Sequence, residues 1–397
     1  MEGTIVVTLS SNQASNATEA LPSDRVAMVR PAFDVTPDFA SPIEVASGVW
    51  WIRLPLDGLI DHVNIYALED QNGLTLIDTG NDTPICKDAL QLAFTREPFS
   101  QKPITRLITT HYHPDHIGLA KLLVERGASH WTTRACWVYA RMLQLDYREL
   151  PYPEQINFIE RAGLGGMALA AYKRRSPSNF PTTVMPVPFS YTRINDLDEI
   201  MIGPRTWKVA LGNGHAIDHV TLWSDDNIAI TGDQLLPGIS SNLSIHPSEP
   251  DNDLVTGWLE SCHRIRRLAN AETLCLPGHN APFVGAPARC EQLISSQLSV
   301  LRRLWDFLER PSTAVGCLDA VYRRVLDAQE QGTLIAETVG FLNHLHNRGL
   351  VKRELFRGNA FVWQRTSHEW PADEANTIRI DTPHSQRLND AIDRQTA

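Results

Sequence analysis

Three histidines and one aspartate fall within six residues of the stretch Thr109-Thr110-His111-Tyr112-His113-Pro114-Asp115-His116. Imidazole and carboxylate are the side chains that hold zinc, iron and other first-row metals, and a carboxylate can bridge two of them. His111 and His113 are two apart, so on an extended or looped backbone they face the same way. Asp115 and His116 follow on the next turn and reach a second position a few Å away. Four more residues of ligand type each stand at or just past an apolar run. They are Asp78 after Leu74-Thr75-Leu76-Ile77, His215 after Gly212-Asn213-Gly214, Asp233 after Ile228 to Gly232, and His279 after Leu274 to Gly278. Two metals roughly 3.5–4 Å apart bind and acidify one water, and the hydroxide so formed attacks a carbonyl or phosphorus centre at neutral pH. Isolated histidines such as His130, His246 and His263 read instead as surface or core residues.

The elements that must position these residues are legible in outline. β-rich runs at 43–45, 49–54, 62–68 and 74–78 give an antiparallel meander that ends on Asp78. Asp82-Thr83-Pro84 opens a helix, with proline in its first turn. A strand at 104–110 delivers the histidine cluster, and a helix over 117–126 follows, stopped by Gly127. The second half repeats the plan. Strands lie at 199–202, 207–211, 220–223, 228–231 and 274–276, with a hairpin at Asp225-Asp226-Asn227 and a helix over 254–268. Alternating strands and helices indicate a layered α/β fold, in which sites collect where strand ends converge.

Residues from about 134 to 186 break this rhythm with helical patterns rich in Trp, Tyr, Phe and Met. They read as a helical insertion packed on the core, and also as a lid that shapes a substrate pocket. Beyond 290 come an amphipathic helix over 291–309, helices over 317–328 and 334–347, and two strand-like runs around Gly358-Asn359. Helix, helix and hairpin make a small winged-helix-like C-terminal module over 291–366. Residues 1–40 are polar and proline-punctuated and read as a flexible leader; 367–397 read as a polar tail.

Taken in order, Asp78, His111-Tyr112-His113-Pro114-Asp115-His116, Gly214-His215, Thr231-Gly232-Asp233 and Pro277-Gly278-His279 resemble the five motifs of the metallo-β-lactamase-fold hydrolase superfamily. The resemblance implies an αββα sandwich over about 41–290, with its site at the edge between two sheets. It implies one metal held by His111, His113 and His215, and a second held by Asp115, His116 and His279, with Asp233 between them. Asp115 then also serves catalysis, and Asp78 orients a ligand loop by hydrogen bonds. The cofactors implied are two divalent cations, zinc first, with iron or manganese as alternatives. His219 reads as a strand-start residue, with contact to substrate as the alternative. The commonest antibiotic-hydrolysing subclass places a cysteine in the fourth motif, where this chain has Asp233.

The 397 residues carry a formal charge of −10 and a pI near 5.8, which argues against a general nucleic-acid binder. The C-terminal module is nearly balanced in charge, so it reads as a packing or dimerisation unit, and a homodimer is one expectation. Six scattered cysteines form no CxxC pair and read as free thiols in a reducing compartment. No apolar window of membrane-spanning length and no signal-peptide pattern is seen, so the expected location is the cytoplasm. The expected activity is cleavage of an ester-type bond in a small molecule by a hydroxide bridging two metals. Thioesters come first, then lactones or other esters and β-lactams; a metal-dependent ribonuclease is the alternative from another class. No substrate-contacting residue is assigned.

Overall fold

A computed structural model describes residues 28–58, 60–324, 330–356 and 359–371. The expectations placed on 1–27, 325–329 and 372–397 lie outside the described residues. Two seven-stranded sheets face each other. The first runs, in spatial order, Ile43–Ala46, Val49–Pro55, His62–Asp70, Gly73–Ile77, Ile104–Ile108, Ser129–Thr133 and Thr192–Ile194. Its early pairs are antiparallel, and from Gly73–Ile77 onward its strands are parallel. The second runs Arg30–Pro31, Phe283–Val284, Leu274–Pro277, Ile228–Gly232, His219–Ser224, Arg205–Gly212 and Glu199–Ile202. Its one parallel pair is Ile228–Gly232 with Leu274–Pro277.

Side-chain alternation explains why these strands are buried on both faces. In Val49–Pro55, Val49 and Trp51 point between the sheets, whereas Trp50, Ile52 and Leu54 point outward to helices. In the second sheet Ile228, Ile230, Leu274 and Leu276 face inward, and Ala229 and Cys275 face outward. Helices Pro84–Phe94, Ala120–Glu125 and Arg134–Leu145 cover the first sheet, and Leu254–Leu268, Ala286–Phe307 and Gln331–Asn347 cover the second. The layers are therefore α, β, β, α. No helix among the described residues is long and apolar enough to cross a membrane.

Several local expectations are corrected. The single helix over 117–126 is two pieces, Pro114–Ile117 and Ala120–Glu125. Gly118 sits between them, and a Cβ there would come within 2.5 Å of the Gly80 carbonyl oxygen. Residues 28–40, read as part of a loose leader, are built into the fold. Arg30–Pro31 pairs with Phe283–Val284, and Phe33 and Ala40 are buried. The insertion contributes helices Arg134–Leu145, Pro153–Arg161 and Gly166–Tyr172. The first packs on the first sheet, and the second packs into the outer layer of the other. The expected helix over 317–328 is described only as Leu318–Tyr322. The C-terminal hairpin pairs Val351–Leu355 with Phe361–Arg365.

Candidate metal centre

The ends of the central strands deliver the ligand-type residues to one place. His111 and His113 leave the strand Ile104–Ile108, and Asp115 and His116 sit in the first turn that follows it. His215 follows Arg205–Gly212, Asp233 follows Ile228–Gly232, and His279 follows Leu274–Pro277. Nε2 of His111 lies 2.9 Å from Nδ1 of His113 and 3.3 Å from Nε2 of His215. Oδ2 of Asp115 lies 3.2 Å from Nε2 of His279 and 3.5 Å from Nε2 of His116. Oδ2 of Asp233 stands between the two groups, 3.5 Å from His215, 3.5 Å from His116 and 3.2 Å from His279. Three overlapping trios have donor atoms within 4.8 Å of one another: His111, His113 and His215; His111, His116 and Asp233; Asp115, His116 and His279.

Asp78 stands behind this cluster. Its backbone is left-handed, at φ 62°, which turns the chain at the end of the strand Gly73–Ile77. Its Oδ1 accepts the Thr110 backbone N–H at 2.7 Å, and its Oδ2 accepts the Thr110 hydroxyl at 2.8 Å and pairs with Nδ1 of His116 at 2.8 Å. That leaves Nε2 of His116 pointing into the cluster. Thr79 adds to the brace: its hydroxyl donates to the His116 carbonyl and accepts the Leu119 N–H.

The donor set fits divalent cations. Nε2 of His116 and Oδ1 of Asp233 are buried with no hydrogen-bond partner among the described residues, which is costly unless a cation or water satisfies them. Three imidazole nitrogens converge at His111, an arrangement suited to a positive ion rather than to one another. The electrostatics agree. Burial alone would lower His279, yet the negative field of Asp233 and Asp115 reverses this and raises it to about 10, and the same field would favour a cation in place of that proton. Burial opposes ionisation of Asp115, but His116 and His279 hold its carboxyl well below the usual range. Burial, with His215 adding to it, pushes His113 down to about 3, so its imidazole is neutral and able to ligate.

His219 is not among the residues lining the cavity beside His215. It begins the strand His219–Ser224, is fully buried, stacks on His111 at 4.6 Å, and accepts the Asp233 backbone N–H on Nε2 at 3.1 Å. The supports from the first sheet were not singled out from sequence. The His62 carbonyl pairs with Nδ1 of His279 at 2.7 Å, and Asn64 Nδ2 donates to the carbonyls of Pro277 and Asn280. The available signal was a polar Asn64 inside the apolar run His62-Val63-Asn64-Ile65, since a buried polar side chain must have partners. A cavity of about 240 Å³ opens beside His215, walled by Tyr112 from the histidine cluster and Tyr139 from the insertion.

The fold and this cluster have counterparts. A sequence profile described as the metallo-beta-lactamase superfamily matches residues 59–279. A probable metallo-hydrolase, YqjP, of Bacillus subtilis (strain 168) is 25% identical over 300 residues, covering 74% of this chain and 91% of its own. The crystal structure of a beta-lactamase domain protein from Burkholderia ambifaria is 31% identical and superposes with a TM-score of 0.77, covering 84% of this chain and 96% of its own. A metallo-beta-lactamase family protein from Thermus thermophilus, 21% identical with a TM-score of 0.67, covers 81% and 100% and shares the fold. With the profile spanning more than half of the chain and the ligand-type residues drawn together at the strand ends, this protein belongs to the metallo-β-lactamase superfamily and is a metallo-hydrolase.

Proposed function

We propose that the chain hydrolyses an ester-type bond of a small molecule, a thioester by preference, at a centre of two divalent cations. The observation that carries this reading is the completeness of the second donor trio. Asp115, His116 and His279 are all present beside His111, His113 and His215, with one Asp233 oxygen within 3.5 Å of nitrogens from both groups. Zinc suits such a mixed imidazole and carboxylate set, and iron and manganese are compatible with it. Bound there, the cations supply Lewis-acid activation of water and of the scissile carbonyl.

The chain's own residues do the rest. Asp233 sets the spacing of the two positions. Asp78 keeps Nδ1 of His116 engaged, so that Nε2 stays free to ligate. Asp115 is the more open of the two inner carboxylates, its side chain 19% exposed against 7% for Asp233. Its Oδ2 faces His116 and His279, and the carboxylate would also orient the attacking water by accepting a hydrogen bond from it. Tyr112 and Tyr139 give the substrate an apolar wall beside His215. Among the described residues no lysine or arginine lines that cavity to hold a phosphodiester backbone, which favours a small ester over RNA.

Elemental analysis of the purified protein, joined to a panel of thioesters, lactones, cephalosporins and RNA, tests the reading. The expected result is two metal equivalents per chain and thioester cleavage that falls by orders of magnitude in Asp115→Ala and His116→Ala, with the circular dichroism unchanged. Wild-type rates in either variant refute the two-metal centre. Failure to cleave any thioester or lactone refutes the substrate class.

A further inference from the structure

The cavity beside His215 has walls of a distinct chemistry. Tyr112 and Tyr139 stack at 4.7 Å, and His246 meets Tyr139 edge-on at 6.1 Å. Two carboxylates, Glu249 and Asp253, are also part of the lining. Asp253 caps the helix Leu254–Leu268 and faces His344 at 3.1 Å; despite burial, that partner keeps its carboxyl below the usual range. Glu249 is exposed, accepts only from Asn252, and makes no ion pair among the described residues. Its charge is felt inside the cavity. Burial first, and then neighbouring groups that include Glu249, push the phenols of Tyr112 and Tyr139 upward. Among the described residues no lysine or arginine lines the space. Arg148 acts on His246 from outside, but it is held by Asp146 at 2.9 Å and lies over the Tyr152 ring at 4.0 Å.

Aromatic faces attract cations through their quadrupole, and an unpaired carboxylate at the mouth adds a charge of the right sign. On the side of Glu249 and Asp253, away from His215, the same walls disfavour phosphate and carboxylate. We infer that this cavity admits a compact cationic group, an alkyl- or quaternary ammonium carried by the substrate, and rejects anionic substituents. The inference rests on the hydrolase reading for the reaction that follows but not for the binding. It points to ammonium-bearing esters or thioesters and away from acyl carriers that bring phosphates.

Three thioacetates of similar size separate these possibilities on the metal-loaded full chain: acetylthiocholine, its neutral 3,3-dimethylbutyl isostere, and S-acetyl-3-mercaptopropionate. The expected kcat/KM for the cation exceeds that for the anion by at least about tenfold, as one desolvated cation–π contact supplies. Glu249→Lys, at an exposed position, is expected to invert that order. Equal kcat/KM for cation and anion, unchanged in Glu249→Lys, overturns the inference. Calorimetric binding of tetramethylammonium and of choline, which needs no turnover, keeps the two readings apart. Binding that weakens by about two- to fivefold in Glu249→Gln, as an exposed carboxylate beside a cation supplies, supports the cavity assignment even if no thioester is cleaved, in which case only the thioester reading falls. No detectable binding of either ion, or binding indifferent to Glu249→Gln, overturns it whatever the hydrolysis panel gives.

Discussion

His130 lies in the strand Ser129–Thr133, buried, with Nε2 2.9 Å from the Thr109 hydroxyl and no partner for Nδ1. From sequence it was one isolated histidine among several, and its residue type says nothing about its surroundings. The metal-type residues were legible for the opposite reason: the chemistry demands His and Asp at strand ends, so their types and order carry the signal. Burial lowers the His130 imidazole to about 4, against an ordinary value near 6.5. The sign follows. The unfolded chain takes up a proton near pH 6.5 and the folded chain only near 4, so stability is full above 6.5 and is lost between 6.5 and 4. The loss amounts to roughly 3 kcal/mol at the acid end. Urea unfolding at pH 7.5 and pH 4.5 checks this against His130→Gln, which keeps a group able to bond Thr109 but does not titrate. The variant is expected to lose less stability than wild type between the two pH values. Equal losses would mean that His130 is already charged in the fold. Groups in the metal cluster also titrate here, but they are common to both proteins and cancel in the comparison.

The turn that carries His279 is held by a strand from the other sheet. Asn64 in His62–Asp70 donates from Nδ2 to the Pro277 carbonyl at 2.9 Å and to the Asn280 carbonyl at 2.6 Å, while its Oδ1 accepts the Trp51 indole N–H at 2.8 Å. The Tyr66 hydroxyl adds a bond to the Pro277 carbonyl at 2.7 Å. Helix and strand types were readable from periodicity here, because Leu254–Leu268 and the paired strands follow local rules. Contacts such as Asn64 to Pro277, 213 residues apart, follow no local rule and left no trace beyond one polar residue in an apolar run. The need for a glycine at 118 was hidden in the same way, since part of what crowds that position is the distant Gly80 carbonyl. Asn64→Leu should strand the Trp51 N–H and the Asn280 carbonyl, at a cost of about 1–3 kcal/mol for each group left unsatisfied, while the Pro277 carbonyl keeps its bond from Tyr66. Its specific effect is on His279. Zinc titration of the variant is expected to show the Asp115–His116–His279 position losing affinity while the His111–His113–His215 position keeps it. The outer partners of metal ligands typically contribute 10–100-fold in affinity. Parallel weakening at both positions would show that the substitution loosens the sandwich rather than the turn.

The apolar cluster on the outer face of the second sheet runs without a break into the C-terminal segment. Trp258, Leu259 and Cys262 of one helix, Leu293, Leu301 and Trp305 of the next, and Leu342, Leu345 and the hairpin's Trp363 all belong to it. Sequence places a boundary near 290, and Arg310-Pro311 does interrupt the helices. An amphipathic helix reads the same, however, whether its apolar face meets its own module or a neighbour's sheet. Polar contacts tie the same elements to the site. Glu337 accepts the Leu243 N–H, Asn343 donates to the carbonyls of Pro250 and Asn252, and His344 faces Asp253. The helix Gln331–Asn347 thereby supports the loop that lines the cavity beside His215. Two consequences are measurable. Leu342, fully buried, should cost about 2–5 kcal/mol on Leu342→Ala, as large-to-small changes in a packed core do. The whole chain should also unfold in one calorimetric transition, whose midpoint the Leu342→Ala variant shifts as a unit, because the C-terminal helix and the second sheet share one core. Two transitions, only one of them moved by Leu342→Ala, would show that the segment folds by itself. So would a soluble fragment ending at residue 309 that binds zinc as the full chain does.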